Sequence, residues 1–256
     1  MRFEILGPLR VVDATGESSS VSARKIEVLL AVLLVRSGQV VPTEQLIAEI
    51  WGESAPRRAI AGLHVYISNL RKFLNRPGQH CRIVTRPPGY LLDMGGDELD
   101  LHAFQRMVFQ GRSHARGHRH EEAVEAFESA LDLWRGTVLG DLRDGLIISG
   151  FARWLEEARL ECIELFVESK LALDRHREMV GYLYSLITEY PLREAFYRQL
   201  MLALYRSDRQ ADALHVYQVA WERLNDEVGL QPCRALRDLQ RAILMTDDRL
   251  DARAAV

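Results

Sequence analysis

The chain has 256 residues, of which 48% are hydrophobic and 27% are charged; this is the composition of a soluble globular protein with room for one large domain or two smaller ones. Its three scattered cysteines, Cys81, Cys162 and Cys233, form no CxxC pair, which indicates reduced buried thiols rather than a disulfide framework. The start of the chain lacks the pattern of a signal peptide, and the most apolar stretch, residues 28–35, is too short to cross a bilayer, so we expect a cytoplasmic protein without membrane contact.

The charge is unevenly distributed along the chain. Residues 1–94 carry 12 Lys and Arg against 8 Asp and Glu, a net charge of +4, whereas the remainder carries 21 against 28, a net charge of −7. This division predicts two domains with different partners, residues 1–94 and 95–256, and nucleic acid is the obvious candidate partner of the basic one.

Residues 1–94 predict strands, three helices and a β-hairpin, in that order. Loose alternation over the first dozen residues indicates a strand layer. Three helical segments follow. The first is capped by Ser22 and ends at Arg36–Gly38, the second begins at Pro42–Thr43 and ends at Trp51–Gly52, and the third has Pro56 in its first turn and ends at Asn75–Gly78. RIVT, Pro-Pro-Gly and YLLD then predict the hairpin.

From Asp100 onward the pattern is helical throughout. Helical periodicity covers the segments 101–111, 120–134, 150–173, 177–189, 192–206, 209–226 and 233–246. Segment 209–217 lies over 176–184 at a shift of 33, which matches Ala213 with Val180, and over 119–127 at a shift of 90. A spacing near 34 is typical of tetratricopeptide helix pairs, so an all-helical repeat domain is predicted.

On a helical wheel, residues 56–76 separate into two faces. The core stripe is predicted to contain Ile60, Leu63, Ile67, Leu70 and Leu74. The opposite face, which carries small, polar and cationic side chains and no acid, contains Arg58, Ala61, Gly62, Val65, Ser68, Asn69, Lys72 and Arg76. No Asp or Glu occurs between Glu53 and Asp93, although surface helices usually mix both signs of charge.

An α-helix of this width fits the major groove of B-DNA. There Asn69 could hydrogen-bond to a base edge and Val65 could contact a thymine methyl group, while Arg58, Lys72 and Arg76 could contact phosphates; Arg57 is assigned to the same surface. In the hairpin, the residues on or beside the tight tip are Arg82, Thr85 and Arg86, and an Arg there can enter a minor groove or pair with a phosphate. The alternative is a solvated amphipathic helix beside a hairpin that is basic by chance.

Other clusters of polar or aromatic side chains favour structural roles. His114, His118 and His120 are read as a solvated turn, since no further ligand completes a metal site. Asp141 and Asp144 are read as turn and cap residues between helices rather than as an acid and base pair. The three tryptophans of the helical part, Trp134, Trp154 and Trp221, are predicted to be core residues, although one could be an exposed anchor for a partner.

The order of elements carries a resemblance to a known family. The helix that ends in AEIWG, the helix that ends in LRKFL and the hairpin IVTRPPGYLL, preceded by LGPLRV, resemble the OmpR-type winged-helix DNA-binding domain. The acidic helical part looks like the bacterial transcriptional activation domain, and the pair resembles the small Streptomyces antibiotic regulatory proteins over residues 1 to 248. The fold this implies is mainly α, a winged helix-turn-helix with an N-terminal sheet followed by a tetratricopeptide-like domain.

The resemblance implies an activator of secondary-metabolite genes that binds tandem direct repeats near the −35 promoter element and contacts RNA polymerase holoenzyme with its sigma factor. Because a lone winged helix makes few phosphate contacts, we expect two protomers on the DNA. By the same resemblance the recognition residues are Ala61, Val65, Ser68, Asn69 and Arg71 on the third helix and Arg86 on the wing. Response-regulator relatives often carry Arg where this chain has Ala61, Ser68 and Asn69, so their base preferences do not transfer.

Two other functions stay open from the sequence. A repeat-based interaction scaffold would use its basic first part to dock an acidic protein. An enzyme is the third possibility, but GxxxxGK[ST], GxSxG, HExxH and GxGxxG are all absent, so we expect neither catalysis nor a cofactor or metal.

Overall fold

The computed structural model describes residues 1–13, 15–19, 21, 23–74, 82–247 and 250. They form two compact units, one within residues 1–107 and 129–160 and the other within residues 108–128 and 161–256. The described part of the chain is mainly helical, as predicted. None of its helices combines the length and the apolar character needed to span a membrane. Packing divides the chain differently from the sequence domains 1–94 and 95–256, which stay a prediction.

The described residues form the following strands and helices. The strands are β1 Arg2–Glu4, β2 Arg10–Val12, β3 Ser18–Ser19, β4 Val40–Pro42, β5 Arg82–Arg86, β6 Gly89–Asp93 and β7 Glu98–Leu99. The helices are α1 Arg24–Val35, α2 Thr43–Trp51, α3 Ala59–Leu74, α4 Asp100–Arg116, α5 His120–Leu131, α6 Leu146–Ala172, α7 His176–Glu189, α8 Glu194–Tyr205, α9 Gln210–Val228 and α10 Arg234–Leu244. The predicted strand layer, three helices and hairpin are therefore confirmed.

A four-stranded sheet in the order β3-β2-β1-β7 opens the first unit. The strands β1 and β2 are antiparallel, whereas β7 pairs with β1 in parallel. Asp100 follows β7 directly, and its carboxylate accepts hydrogen bonds from the backbone N–H groups of Ile5 at 2.9 Å and Leu6 at 3.0 Å. Burial raises the pKa of Asp100, against the opposing effect of those two N–H groups and of Arg135. The carboxylate thus fixes the end of β1 to the start of α4.

The helix α1 is the centre of the first unit. Its residues Leu29–Leu34 are all buried, which is the pattern of a helix that is surrounded on all sides. A second sheet, in the order β4-β6-β5, packs beside it and contains the predicted hairpin. Gly89 lies where β6 approaches β4 most closely, because a Cβ atom there would sit 1.8 Å from the carbonyl oxygen of Val41. The close pairing of these two strands therefore requires glycine at this position.

The N-terminus of α6 is held by an acid on α2. The buried carboxylate of Glu49 accepts hydrogen bonds from the backbone N–H groups of Ile147 at 3.0 Å and Ile148 at 2.8 Å. The N–H groups of a first helical turn have no partner within the helix, and the helix dipole favours a negative charge beside them. Gly145 leaves room for the carboxylate, since a Cβ atom there would lie 2.1 Å from its carbon atom.

The second unit contains a repeated turn between helices. His118, Asp174 and Asp208 each adopt a left-handed backbone with φ of 56°, 56° and 62°. An arginine follows each of them, and its guanidinium pairs with an acid three residues later at 3.9, 2.7 and 2.6 Å in the pairs Arg119–Glu122, Arg175–Glu178 and Arg209–Asp212. The matching turns at Asp174 and Asp208 are 34 residues apart. The predicted repeat is therefore present, with its register one residue away from the predicted shift of 33.

Some sequence-based predictions differ from the structure. Ile60, predicted in the core stripe, is 58% exposed, because Ala59 takes the buried position above Leu63. Trp154 and Trp221 are 49% and 43% exposed and are not core residues, which agrees with the alternative of an exposed tryptophan. The helix predicted over 120–134 ends at Leu131, and the one predicted from residue 150 begins at Leu146. Cys233, predicted to be buried, is exposed. The cap at Ser22, the stop at Asn75–Gly78 and Cys81 lie outside the described residues.

Candidate nucleic-acid interface

The exposed face of α3 is close to the predicted one. Leu63, Ile67, Leu70 and Leu74 are buried and point into the first unit. On the opposite side, the exposed predicted residues are Arg57, Arg58, Ala61, Val65, Ser68, Asn69 and Lys72. We call Ala61, Val65, Ser68, Asn69 and Lys72 the reading face. A small residue at its start and polar and cationic groups near its end give a surface that another molecule can approach closely.

The side of α3 towards α2 is closed by stacked aromatic rings. Gly62 is half-buried, and a Cβ atom there would lie 3.3 Å from the indole of Trp51. The rings of Trp51 and Tyr66 stack at 5.5 Å, and the ammonium group of Lys25 lies 5.4 Å from the centre of the Trp51 ring. Gly62 therefore lies at the edge of the reading face, where it allows α3 to approach α2.

The hairpin brings Arg86 to the tip of the wing. Arg86 pairs in register with Gly89, and Pro87 and Pro88 complete the tip with a cis peptide bond between them. The backbone N–H and the hydroxyl of Thr43 both donate to the carbonyl oxygen of Pro88 at 3.1 Å, which attaches the tip to the start of α2. Arg82 lies at the other end of β5, 3.6 Å from the carboxylate of Asp93 on the paired strand.

The basic side chains of this surface differ in whether they have partners. Within the described part of the chain, Arg57, Arg58, Lys72 and Arg86 form no ion pair with an acid. By contrast, the guanidinium of Arg71 bonds to the hairpin: Nε donates to the carbonyl oxygen of Ile83 at 3.1 Å and Nη2 donates to the hydroxyl of Thr85 at 2.8 Å. Two of the predicted site residues, Arg71 and Thr85, are therefore hydrogen-bonded to each other. Arg76 lies outside the described residues.

Two exposed residues of α3 were not among the predicted site residues. Ile60 and His64 lie one turn apart on the side of α3 that also carries Arg71, and both are exposed. The missed signal is the position of Ala59, which continues the buried series at Leu63 and Ile67 and so rotates the core stripe away from Ile60. Both side chains therefore extend the exposed surface of α3 beyond the reading face, on the side that carries Arg71.

The other polar clusters have structural partners. Asp141 and Asp144 both bind the guanidinium of Arg24 at the start of α1, with 3.0 Å to Asp144. His118 forms the first left-handed turn, and Arg119 donates to Nδ1 of His114 at 3.1 Å. In the ranges that the structure describes, no group of three or more His, Cys, Asp or Glu side chains is arranged to hold a metal ion.

Comparison with known families assigns both parts of the chain. Residues 16–92 match the family described as transcriptional regulatory protein, C terminal. Residues 99–244 match the bacterial transcriptional activator domain. The second match alone spans more than half of the chain.

Individual relatives match over nearly the whole length. The regulatory protein DnrI of Streptomyces peucetius is 34% identical over 98% of this chain and 94% of its own length. The transcriptional regulator RedD of Streptomyces coelicolor is 34% identical over 100% of this chain and 74% of its own length. A solved structure of Mycobacterium tuberculosis EmbR in complex with a low-affinity phosphopeptide superposes with a TM-score of 0.90 at 34% identity, covering 96% of this chain and 65% of that one.

Proposed function

The chain belongs to the Streptomyces antibiotic regulatory protein family of transcriptional regulators, and from this premise we propose that it activates the genes of one secondary-metabolite cluster by binding DNA in a sequence-specific manner. The named relatives are regulators. Because its target would be chromosomal DNA, action in the cytoplasm is part of the proposal.

One observation carries the proposal: the reading face and Arg86 form a basic, acid-free surface on the first unit. No Asp or Glu occurs from residue 54 to residue 92, which covers the whole of α3 and most of the hairpin. DNA carries a negative charge about every 1.7 Å along its axis, so an acid on this surface would oppose binding. Cations without an acidic partner in the described part of the chain, beside a helix face of polar groups, therefore suit a DNA duplex better than an acidic protein.

The residues would divide between base and phosphate contacts. In the major groove, the amide of Asn69 can donate and accept with an adenine edge, Ser68 can bond either way, and the exposed Val65 can contact a thymine methyl group. Arg57, Arg58 and Lys72, at the ends of α3, are placed for phosphates. Arg86 on the wing provides a separate contact with a minor groove or a phosphate, and Arg82 a weaker one because Asp93 neutralises part of its charge.

The proposed partners follow from the small size of the surface. A single winged helix neutralises few phosphates, so we propose that two protomers bind tandem direct repeats side by side. Recruitment of RNA polymerase holoenzyme, including its sigma factor, completes the proposed activation. No cofactor is part of the proposal.

DNase I footprinting on the promoters next to the gene tests this function. We expect two protected direct repeats whose centres are about one helical turn, or 10–11 base pairs, apart, so that both protomers lie on one face of the DNA. An Asn69→Ala, Lys72→Ala double variant is the matched control and should give no footprint at the same concentration. Absence of protection by the wild-type protein on every fragment would contradict the proposal.

A further inference from the structure

Arg71 joins the third helix to both strands of the wing. Its two hydrogen bonds reach Ile83 and Thr85 on β5, and its guanidinium carbon lies 6.0 Å from the centre of the Tyr90 ring on β6. Thr85 and Tyr90 are partners in the register of the hairpin. One side chain of α3 therefore contacts a cross-strand pair of the wing and the residue two positions before it.

These contacts determine where Arg86 lies relative to the reading face. Successive side chains of a strand point to opposite faces, so Thr85 points towards α3 and the adjacent Arg86 points away from it. The Thr43 bonds and the pairing of β6 with β4 attach the wing to α2 and its sheet. The bonds from Arg71 attach the outer part of β5 to the last turn of α3 itself. The guanidinium is a planar fork of fixed shape, so a bond to two groups defines an orientation as well as a distance.

We propose that Arg71 is a positioning residue for DNA binding: it holds the wing at the distance from the reading face at which Arg86 reaches the DNA, and it does not contact DNA itself. The inference rests on the proposed function. Arg71 and its neighbour Lys72 are both exposed, but the Arg71 guanidinium is bonded to the hairpin. Lys72 lies on the reading face without an acidic partner among the described residues and therefore keeps its charge available for a phosphate.

The opposite role for Arg71 makes different predictions. If its guanidinium contacted a phosphate, that contact would not depend on Thr85, and its contribution to the binding free energy would add to the contribution of Arg86. Each phosphate contact changes the slope of log K against log[salt] by about 0.9. If Arg71 acts through Arg86, the two substitutions remove the same contact and their effects do not add.

The test measures the Kd of the full chain for a footprinted promoter fragment at four salt concentrations. The variants are Arg71→Ala, Arg86→Ala, their combination, Thr85→Val, which removes the hydroxyl but leaves Arg71 charged, and Thr85→Ser, which keeps the hydroxyl. We expect Arg71→Ala, Arg86→Ala and Thr85→Val each to weaken binding about tenfold, Thr85→Ser to bind like the wild type, and the double variant to bind within about twofold of Arg86→Ala with the same salt slope.

Two outcomes would overturn the inference: wild-type binding by Thr85→Val, or a further loss and a smaller salt slope when Arg71→Ala is added to Arg86→Ala. Failure of the wild-type protein to bind any fragment would refute the proposed function instead. Thermal unfolding of each variant identifies a loss of binding that comes from misfolding. If Arg71→Ala does not fold, Thr85→Val still tests the inference, because wild-type binding by that variant would overturn it.

Discussion

The carboxylate of Glu49 on α2 accepts a hydrogen bond from the backbone N–H of Ile148 at 2.8 Å and so caps the helix α6. A second bond comes from Ile147, and the carboxylate is buried. Glu49→Gln keeps the size of the side chain but removes the charge and one acceptor. We expect the free energy of unfolding to fall by about 1–3 kcal/mol, because a buried helix terminus loses a charge-assisted partner. Urea unfolding followed by circular dichroism measures the change.

The control for that substitution is Glu53→Gln. Glu53 is exposed in the turn after α2, and an exposed side chain of this kind contributes no more than about 0.5 kcal/mol. Equal unfolding curves for Glu49→Gln and Glu53→Gln would show that the cap does not stabilise the fold.

Gly89 is a second position that the structure makes sensitive to substitution, because there is no room for a side chain. Because a Cβ atom would lie 1.8 Å from the carbonyl oxygen of Val41, Gly89→Ala must separate β6 from β4. We expect a loss of at least about 3 kcal/mol in the free energy of unfolding. Gly150→Ala is the matched control, since nothing lies within 4 Å of its added Cβ within α6, and it should be neutral or stabilising by up to about 1 kcal/mol. Equal effects of the two substitutions in thermal unfolding would contradict the strand pairing.

The left-handed turn at Asp208 predicts that glycine is more stabilising than alanine at this position, the reverse of their order inside a helix. At a φ of 62° an alanine side chain is strained by about 1 kcal/mol and glycine is not, so Asp208→Gly should be more stable than Asp208→Ala. At the exposed Gln218, inside α9, the order should reverse, because glycine weakens a helix by about 1 kcal/mol relative to alanine. Denaturant midpoints of the four variants test both orders, and a higher stability of Asp208→Ala than of Asp208→Gly would contradict the left-handed turn.

The two described cysteines should differ in reactivity. Cys162 is buried, and burial raises the pKa of its thiol to about 12, whereas Cys233 is exposed. Because only the thiolate reacts, a raised pKa leaves Cys162 protonated and unreactive at pH 8. Peptide mapping after brief iodoacetamide treatment should find Cys233 alkylated and Cys162 unmodified, with both modified in urea. Alkylation of Cys162 in the folded protein at the rate of Cys233 would contradict its burial; Cys81 lies outside the described residues and is not part of the comparison.

Local signals predicted most of the first unit. The Pro and Gly residues at its boundaries and the spacing of Leu63, Ile67 and Leu70 were sufficient to define three helices and a hairpin. The strands β4 and β7 were missed, since they have three and two residues and exist only through pairing with distant segments. No local sequence pattern indicates the capping role of Glu49 either, because its partners at Ile147 and Ile148 are almost a hundred residues away.

The sequence predicted which residues of α3 lie on the exposed face of the candidate site, but it did not predict the contacts between α3 and the hairpin. The wheel placed Val65, Ser68 and Asn69 on the exposed side, yet it could not show that Arg71 bonds to Thr85, because that contact depends on how the hairpin packs. The repeat in the second unit did leave a signal that was missed. The pattern Asp-Arg followed by an acid three residues after the Arg occurs at both Asp174 and Asp208, and it marks the turn more clearly than the small and aromatic positions do.

A paired salt titration tests the central claim, that the reading face of α3 recognises a DNA sequence. A site selected from random duplexes by the wild-type protein is compared with a scrambled duplex for the wild type, Asn69→Ala and Lys72→Ala. We predict that Asn69→Ala loses about 1–3 kcal/mol of binding free energy on the selected site and almost nothing on the scrambled one. Lys72→Ala should weaken binding to both duplexes and reduce the salt slope by about 1. Unchanged affinity of both variants for the selected site would contradict the assignment of α3 as the recognition helix.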